Sequence, residues 1–194
     1  MPERREISAW AVADLVAHLG RLAYSFGFTE GLTPAQWSAL RYLSRANRFS
    51  RTVSAFADFH ATTRGTASQT IHGLVDRNYL KRTRSTSDGR SARLDLTEKA
   101  RDVLERDPLQ VLVRAVSGVS PEARANLATN LERLVGEVAR ESGRRRFGSC
   151  SACRHREGGE RCLDGTGFCT CRLLGETLDV TETKQLCVQF EPAR

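Results

Sequence analysis

The first 149 residues of this 194-residue chain contain no cysteine. A disulfide framework is thereby excluded for most of the molecule. All six cysteines fall between Cys150 and Cys187, which marks that end as a unit with its own chemistry. No apolar run approaches the roughly 20 residues that a membrane-spanning helix needs. The N-terminus lacks the continuous apolar core of a secretion signal, so a cytoplasmic location without a membrane partner is expected. Missing too are a P-loop, a His-Glu-x2-His signature, a Gly-x-Ser-x-Gly elbow and a dinucleotide fingerprint. Gly165-Thr166-Gly167 is too short a glycine signal to cradle phosphate. An enzyme is not expected; a redox enzyme or electron carrier built on the cysteines is the alternative from that class.

What the chain does carry is positive charge, a formal +7 with a pI near 9.5. Arginine supplies most of it, and a guanidinium fork suits phosphates and guanine edges better than a lysine point charge. A polyanionic partner is the natural reading.

The most informative stretch runs from His60 to Thr97. Thr62 and Thr63 offer hydroxyls ahead of a helix, as an N-cap requires. Ala67, Ile71, Leu74 and Val75 recur at three- and four-residue steps and define its buried stripe. The opposite face presents Thr63, Arg64, Thr66, Ser68, Gln69 and Thr70, side chains that suit a helix entering a major groove. Leu80–Arg84 and Ala92–Leu96 alternate as strands do, with a turn at Ser87-Asp88-Gly89-Arg90-Ser91 and basic side chains at Arg84 and Arg90.

Around it the pattern is helical. Ile7, Trp10, Ala11, Leu15, Leu19, Leu22, Ala23 and Phe26 form a first amphipathic stripe, with Trp10 and Tyr24 expected to pack. Thr33-Pro34 starts a second helix, with Ala35, Ala39, Leu40 and Leu43 facing inward. A short helix over 52–59 buries Val53, Phe56 and Ala57. His60 and His72 flank the next one and are expected to be structural. Beyond the hairpin, Thr97 opens a helix that Asp107-Pro108 should interrupt. Ser120-Pro121 begins a last helix whose stripe is Ala123, Leu127, Leu131, Leu134, Val135 and Val138. The fold class expected is mainly α with a small β-hairpin wing. The division expected is a body over 1–140, a basic hinge over 141–148 and a cysteine-rich module over 149–194.

Helix, hairpin and basic tip in that order resemble the DNA-reading half of MarR-type winged helix-turn-helix regulators. Leu74-Val75-Asp76-Arg77-Asn78-Tyr79-Leu80 is similar to that family's recognition-helix exit, Asp88-Gly89-Arg90-Ser91 to its wing, and Leu96-Thr97-Glu98-Lys99-Ala100 to its wing-to-helix junction. The resemblance runs from about Ile7 to Val138. It implies a homodimer joined through the first and last helices and a pseudo-palindromic double-stranded DNA site. It also implies a wing arginine, here Arg90, in the minor groove, and commonly an aromatic-acid effector.

In the tail, Cys150-Ser151-Ala152-Cys153 is a Cys-x2-Cys pair, followed by Cys162, Cys169, Cys171 and Cys187. Crowded thiolates repel one another, so their clustering points to a cation, a cluster or a disulfide. A cytosolic setting disfavours structural disulfides. Some MarR-type proteins are similar through the tail as well. On their pattern the ligands are Cys150, Cys153, Cys171 and Cys187, with Cys162 and Cys169 as extras that can substitute. One half of a zinc site is present as a knuckle and the other pair is widely spread, which iron–sulfur sites tolerate. An iron–sulfur cluster that senses redox, oxygen or iron state is the leading expectation. A structural zinc tail, with a small molecule as effector, stays open.

Overall fold

The computed structural model of the chain describes residues 7–84, 92–158 and 169–193. Short polar side chains decide where its helices begin. Ser8 accepts from Ala11 N to start α1 (Ala9–Ser25). Thr33 and Gln36 form a reciprocal capping box on α2 (Pro34–Arg45), with proline in the first turn. Thr52 caps α3 (Val53–Phe59) and Thr63 caps α4 (Arg64–Asp76). Asn78 then turns the chain with φ 58°, a left-handed conformation that asparagine tolerates better than most residues. Strand β1 (Leu80–Arg84) pairs antiparallel with β2 (Ala92–Leu96), Leu80 opposite Leu96 and Arg84 opposite Ala92. Thr97 caps α5 (Glu98–Glu105).

The expected break at Asp107-Pro108 is present. Helix α6 (Gln110–Ser117) begins after it, with Asp107 accepting from Leu109 N at 2.7 Å. The same carboxylate receives a two-pronged pair from Arg41, at 2.7 and 2.6 Å, which ties the break to α2. Ser120 caps the 21-residue α7 (Pro121–Glu141).

One core sits where α2, α3, α4, the hairpin and α5 meet. Leu40 and Leu43, expected inside, are buried there with Phe56, Ile71, Leu74, Leu80, Leu94 and Val103. Trp37 and Tyr42 are fully buried beside them. Helix α1 contributes nothing to this core: no α1 side chain is buried among the described residues. Trp10, expected to pack, is 81% exposed. The apolar stripe of α7 also faces outward, and its buried positions are Gly136 and Ala139 instead. The Arg146 guanidinium lies over Gly136, within 2.6 Å of where a Cβ would stand, so a larger residue there would displace that side chain. No helix of the described residues is long and apolar enough to cross a membrane.

The tail then returns to the body. Phe147 lies edge-on against Tyr42 and Phe59. After a 3-10 turn at Cys150–Ala152 come β3 (Arg156–Glu157), β4 (Cys169–Cys171) and β5 (Glu176–Leu178), a small antiparallel sheet. Helix α8 (Val180–Thr183) follows, capped by Asp179. The last segment pairs with the body at Leu186, opposite Ala46.

Thr63 tests the local logic. Its hydroxyl accepts from Thr66 N at 3.1 Å and meets the Thr66 hydroxyl at 2.9 Å. Thr63→Ala is expected to lower stability by about 0.5–2 kcal/mol, the usual effect of losing an N-cap. Denaturant unfolding at fixed protein concentration would check this.

Candidate nucleic-acid interface and cysteine pocket

Helices α3 and α4 meet through Thr62 and the left-handed Ala61 (φ 54°), with Thr62 N donating to Ala57 O at 3.0 Å. The second helix is thereby presented across the first, as in a helix-turn-helix. Ala67, Ile71 and Leu74 anchor α4 in the core. The residues expected to meet DNA lie on its other side: Thr63, Arg64, Thr66 and Gln69 are exposed, while Ser68 and Thr70 are half-buried. Thr70 spends its hydroxyl on Thr66 O at 3.1 Å. Arg84 closes β1, and Arg90 lies outside the described residues. His60, at the end of α3, is stacked on Phe56 and bonded to the Ser38 hydroxyl, and burial lowers its pKa. His72 instead pairs with Asp76 at 2.7 Å on the exposed side of α4.

The wing is braced at its root. Leu94 N donates to Arg51 O at 2.8 Å, so residue 51 lies alongside β2. Asp95 accepts from Thr83 and Arg93 and faces Arg51 at 3.4 Å. Burial works against its charge, but these donors and the two guanidinium groups hold its carboxyl below the usual value.

At the other end, four cysteines converge. Among the described residues Cys150, Cys153, Cys171 and Cys187 are free thiols. All four line one small pocket, walled by Phe49, Leu174 and Leu178. The four cysteines come from three pieces of chain. Cys150 sits on the 3-10 turn and Cys153 pairs with Pro192. Cys171 ends β4, and Cys187 pairs with Gly148. That last approach needs the glycine, because a Cβ at residue 148 would lie 2.8 Å from the Phe190 ring.

Burial pushes the Cys150 thiol up to about 11. The neighbouring Cys187, Cys153 and Cys171 add to this, and Arg156 opposes it. Cys187 is raised by burial too, and hydrogen bonds from the Asn47 side chain and the Gln189 backbone pull the other way. Such mutual repulsion is relieved when a cation shares the four sulfurs. Cys169 differs: it is held in a disulfide and offers no thiolate. Cys162 lies outside the described residues.

Residues 30–91, about a third of the chain, match the model of the MarR family. This segment, the winged helix, is similar to the DNA-reading part of that family. Solved structures agree in fold. A MarR transcriptional regulator from Methanosarcina mazei Go1 superposes with a TM-score of 0.55 at 23% identity, over 66% of this chain and 96% of that one. The S. aureus MepR–DNA complex gives 0.55 at 18%, over 69% and 99%. A MarR family protein of Mycobacterium tuberculosis, in complex with salicylic acid, gives 0.50 at 20%, over 68% and 99%. No curated protein matches the chain.

The MarR match spans α2, α3, α4 and the hairpin, and all six cysteines lie beyond it. What the sequence did not reveal is Asn47. It is 1% exposed, belongs to the MarR-type segment, and lines the cysteine pocket. Its one available signal was an uncapped polar residue between Ala46 and Arg48, just past a helix end, which usually means a turn.

Proposed function

We propose that the chain is a homodimeric, sequence-specific DNA-binding transcriptional regulator whose four free cysteines hold an iron–sulfur cluster. The observation that carries this is the placement of Cys150, Cys153, Cys171 and Cys187 around one pocket on the flank of the DNA-reading body. The spacing of the donors favours a cluster over zinc. Only Cys150 and Cys153 form a knuckle, and Cys171 and Cys187 are widely spread in the chain, a spacing that iron–sulfur sites tolerate. When bound, a cluster would supply reversible one-electron chemistry and sensitivity to oxygen and iron supply. The protein's part is to exclude water with Phe49, Leu174 and Leu178, and to set positive charge from Arg156 against the thiolates.

Anaerobic isolation tests this directly. A coloured protein with visible absorption, iron and acid-labile sulfide is expected. A colourless protein with stoichiometric zinc would overturn the cluster.

The DNA-facing side follows from α4. Two such helices on a twofold axis would read half-sites about one helical turn apart. Gln69 can bond an adenine edge bidentately, and Gln69→Ala is expected to remove about 1–3 kcal/mol of discrimination at one base pair of each half-site. Operator variants compared at one salt concentration would show it. Uniform weakening across all variants would assign Gln69 to the phosphates instead. The salicylic acid in one structural neighbour favours a second input, a small aromatic acid acting on the MarR-type body.

A further inference from the structure

The four cysteines are not held alike. Cys150, Cys153 and Cys171 are placed by the tail's own turn and sheet, whereas Cys187 is clamped by the body. Leu186 N donates to Arg45 O at 2.7 Å, and Asn47 N donates to Leu186 O at 2.9 Å. On the other side of the cysteine, Val188 N donates to the Ser50 hydroxyl at 2.8 Å. The α2–α3 corner thus grips both chain neighbours of Cys187.

The Ser50 hydroxyl fixes what Asn47 does there. Having accepted from Val188 N, it donates its proton to Asn47 Oδ1 at 2.7 Å. The amide oxygen is therefore identified, and the Nδ2 donor is the end turned to the Cys187 sulfur. Ser50 is itself fully buried, and its backbone carbonyl accepts from the Tyr42 hydroxyl at 2.7 Å, so the assembly has little freedom to move.

The corner continues to the wing. Arg51 Nε donates to Ala46 O at 2.9 Å, Arg51 O accepts from Leu94 N, and the Arg51 guanidinium faces Asp95. The path from the Cys187 sulfur runs by hydrogen bonds through Asn47 to Ser50, along the chain to Arg51, and from the Arg51 carbonyl to Leu94 on the strand that carries the wing. Arg48 braces the same corner from outside, paired with Glu182 and Glu176 and donating to Thr177 O at 2.7 Å.

We infer that Asn47 is the positioning residue through which the MarR-type body holds the cysteine centre, donating from Nδ2 to the Cys187 sulfur and coupling the centre to the wing root. This rests on the cluster reading above. An N–H donor on a ligand sulfur stabilises the more negative, reduced state and steadies the ligand. Loss of the donor therefore weakens retention and lowers the midpoint potential. Loss of the centre removes what the Cys187 side chain is held to, and with it one constraint on the Asn47 side chain at the corner that Leu94 leans on.

The test uses the full-length protein, isolated anaerobically, with Asn47→Asp and Asn47→Leu. The first keeps the acceptor for Ser50 and removes the donor; the second keeps the volume without charge. Both are expected to hold the centre about 10–100-fold more weakly against a chelator. In Asn47→Leu the midpoint potential should fall. In both, the ratio of operator affinities between loaded and chelator-stripped protein should shrink toward one. Ser50→Ala, which leaves the amide in place but unoriented, should give a smaller change in the same direction, and it serves if the Asn47 variants fail to fold.

Wild-type retention, potential and affinity ratio in folded variants would overturn the inference while leaving the cluster intact. Wild-type protein with neither metal nor sulfide would overturn both. Stoichiometric zinc would overturn the cluster alone, and unchanged zinc affinity in the same variants would then overturn the role of Asn47.

Discussion

Cys187→Ser is expected to abolish the centre: no visible absorption, no bound iron and no acid-labile sulfide after anaerobic isolation. The substitution is small and the side chain only 7% exposed, so the change is chemical rather than steric. A serine hydroxyl stays protonated where a thiol can ionise, and three sulfurs cannot hold a cluster with the strength of four. The loss should exceed the roughly 10–100-fold that removing an outer-shell partner costs. Folding is expected to survive, because Cys187 is docked by its backbone: its N–H donates to Gly148 O at 2.9 Å and its neighbours bond to the α2–α3 corner. Operator affinity in this variant should equal that of chelator-stripped wild type. Cys169→Ser gives the contrast, since that sulfur is already committed to a disulfide and the cluster should form without it. Wild-type iron and sulfide in Cys187→Ser would assign the fourth ligand elsewhere.

The sequence carried the body well and the joints poorly, for physical reasons that differ from place to place. Periodicity located α4 because its apolar residues bury against one core, and Thr63 announced its start because a cap is a local interaction. Leu40 and Leu43 were legible in the same way. Tyr42 was not, because what allows its burial is the Ser50 carbonyl eight residues away, in a corner without periodicity. The stripe on α1 was read as a face that needs a partner, which the resemblance joins to the last helices in a dimer interface, and in the single chain the stripes of α1 and α7 stay outward. A stripe reports that a face needs cover, not what supplies it.

In the tail, it was the resemblance to similarly ended MarR-type proteins that separated Cys150, Cys153, Cys171 and Cys187 from the other two, and these four line one pocket. What no spacing could show is that Cys187 is gripped by the α2–α3 corner. A single parallel pairing of Leu186 with Ala46, 140 positions apart in the chain, leaves no trace in either local sequence. Cys169 was an extra cysteine free to substitute, to resolve a disulfide or to do nothing, and it is the disulfide that it forms.

Those outward faces carry the second large expectation. Leu15 is 66% exposed on α1 and Trp10 81%, while Val135 and Val138 are 69% and 65% exposed on α7. Isolated apolar residues on a surface are ordinary, but runs along two helices at core-like spacing mark a surface to be covered. For a twofold DNA reader the fitting cover is a second copy of the chain. Leu15→Glu should therefore leave the single chain about as stable as before, since exposed positions usually change stability by less than about 0.5 kcal/mol. In the dimer the same carboxylate would be buried without a partner, which disfavours association strongly. Sedimentation should show a monomer. Operator affinity should fall by roughly 10²–10⁴-fold, the advantage that tethering two reading helices gives over one. Visible absorption should be unchanged, because α1 lines no part of the cysteine pocket. That combination separates assembly from cofactor retention. A dimer that persists with wild-type affinity would show that α1 is not the face through which two copies meet.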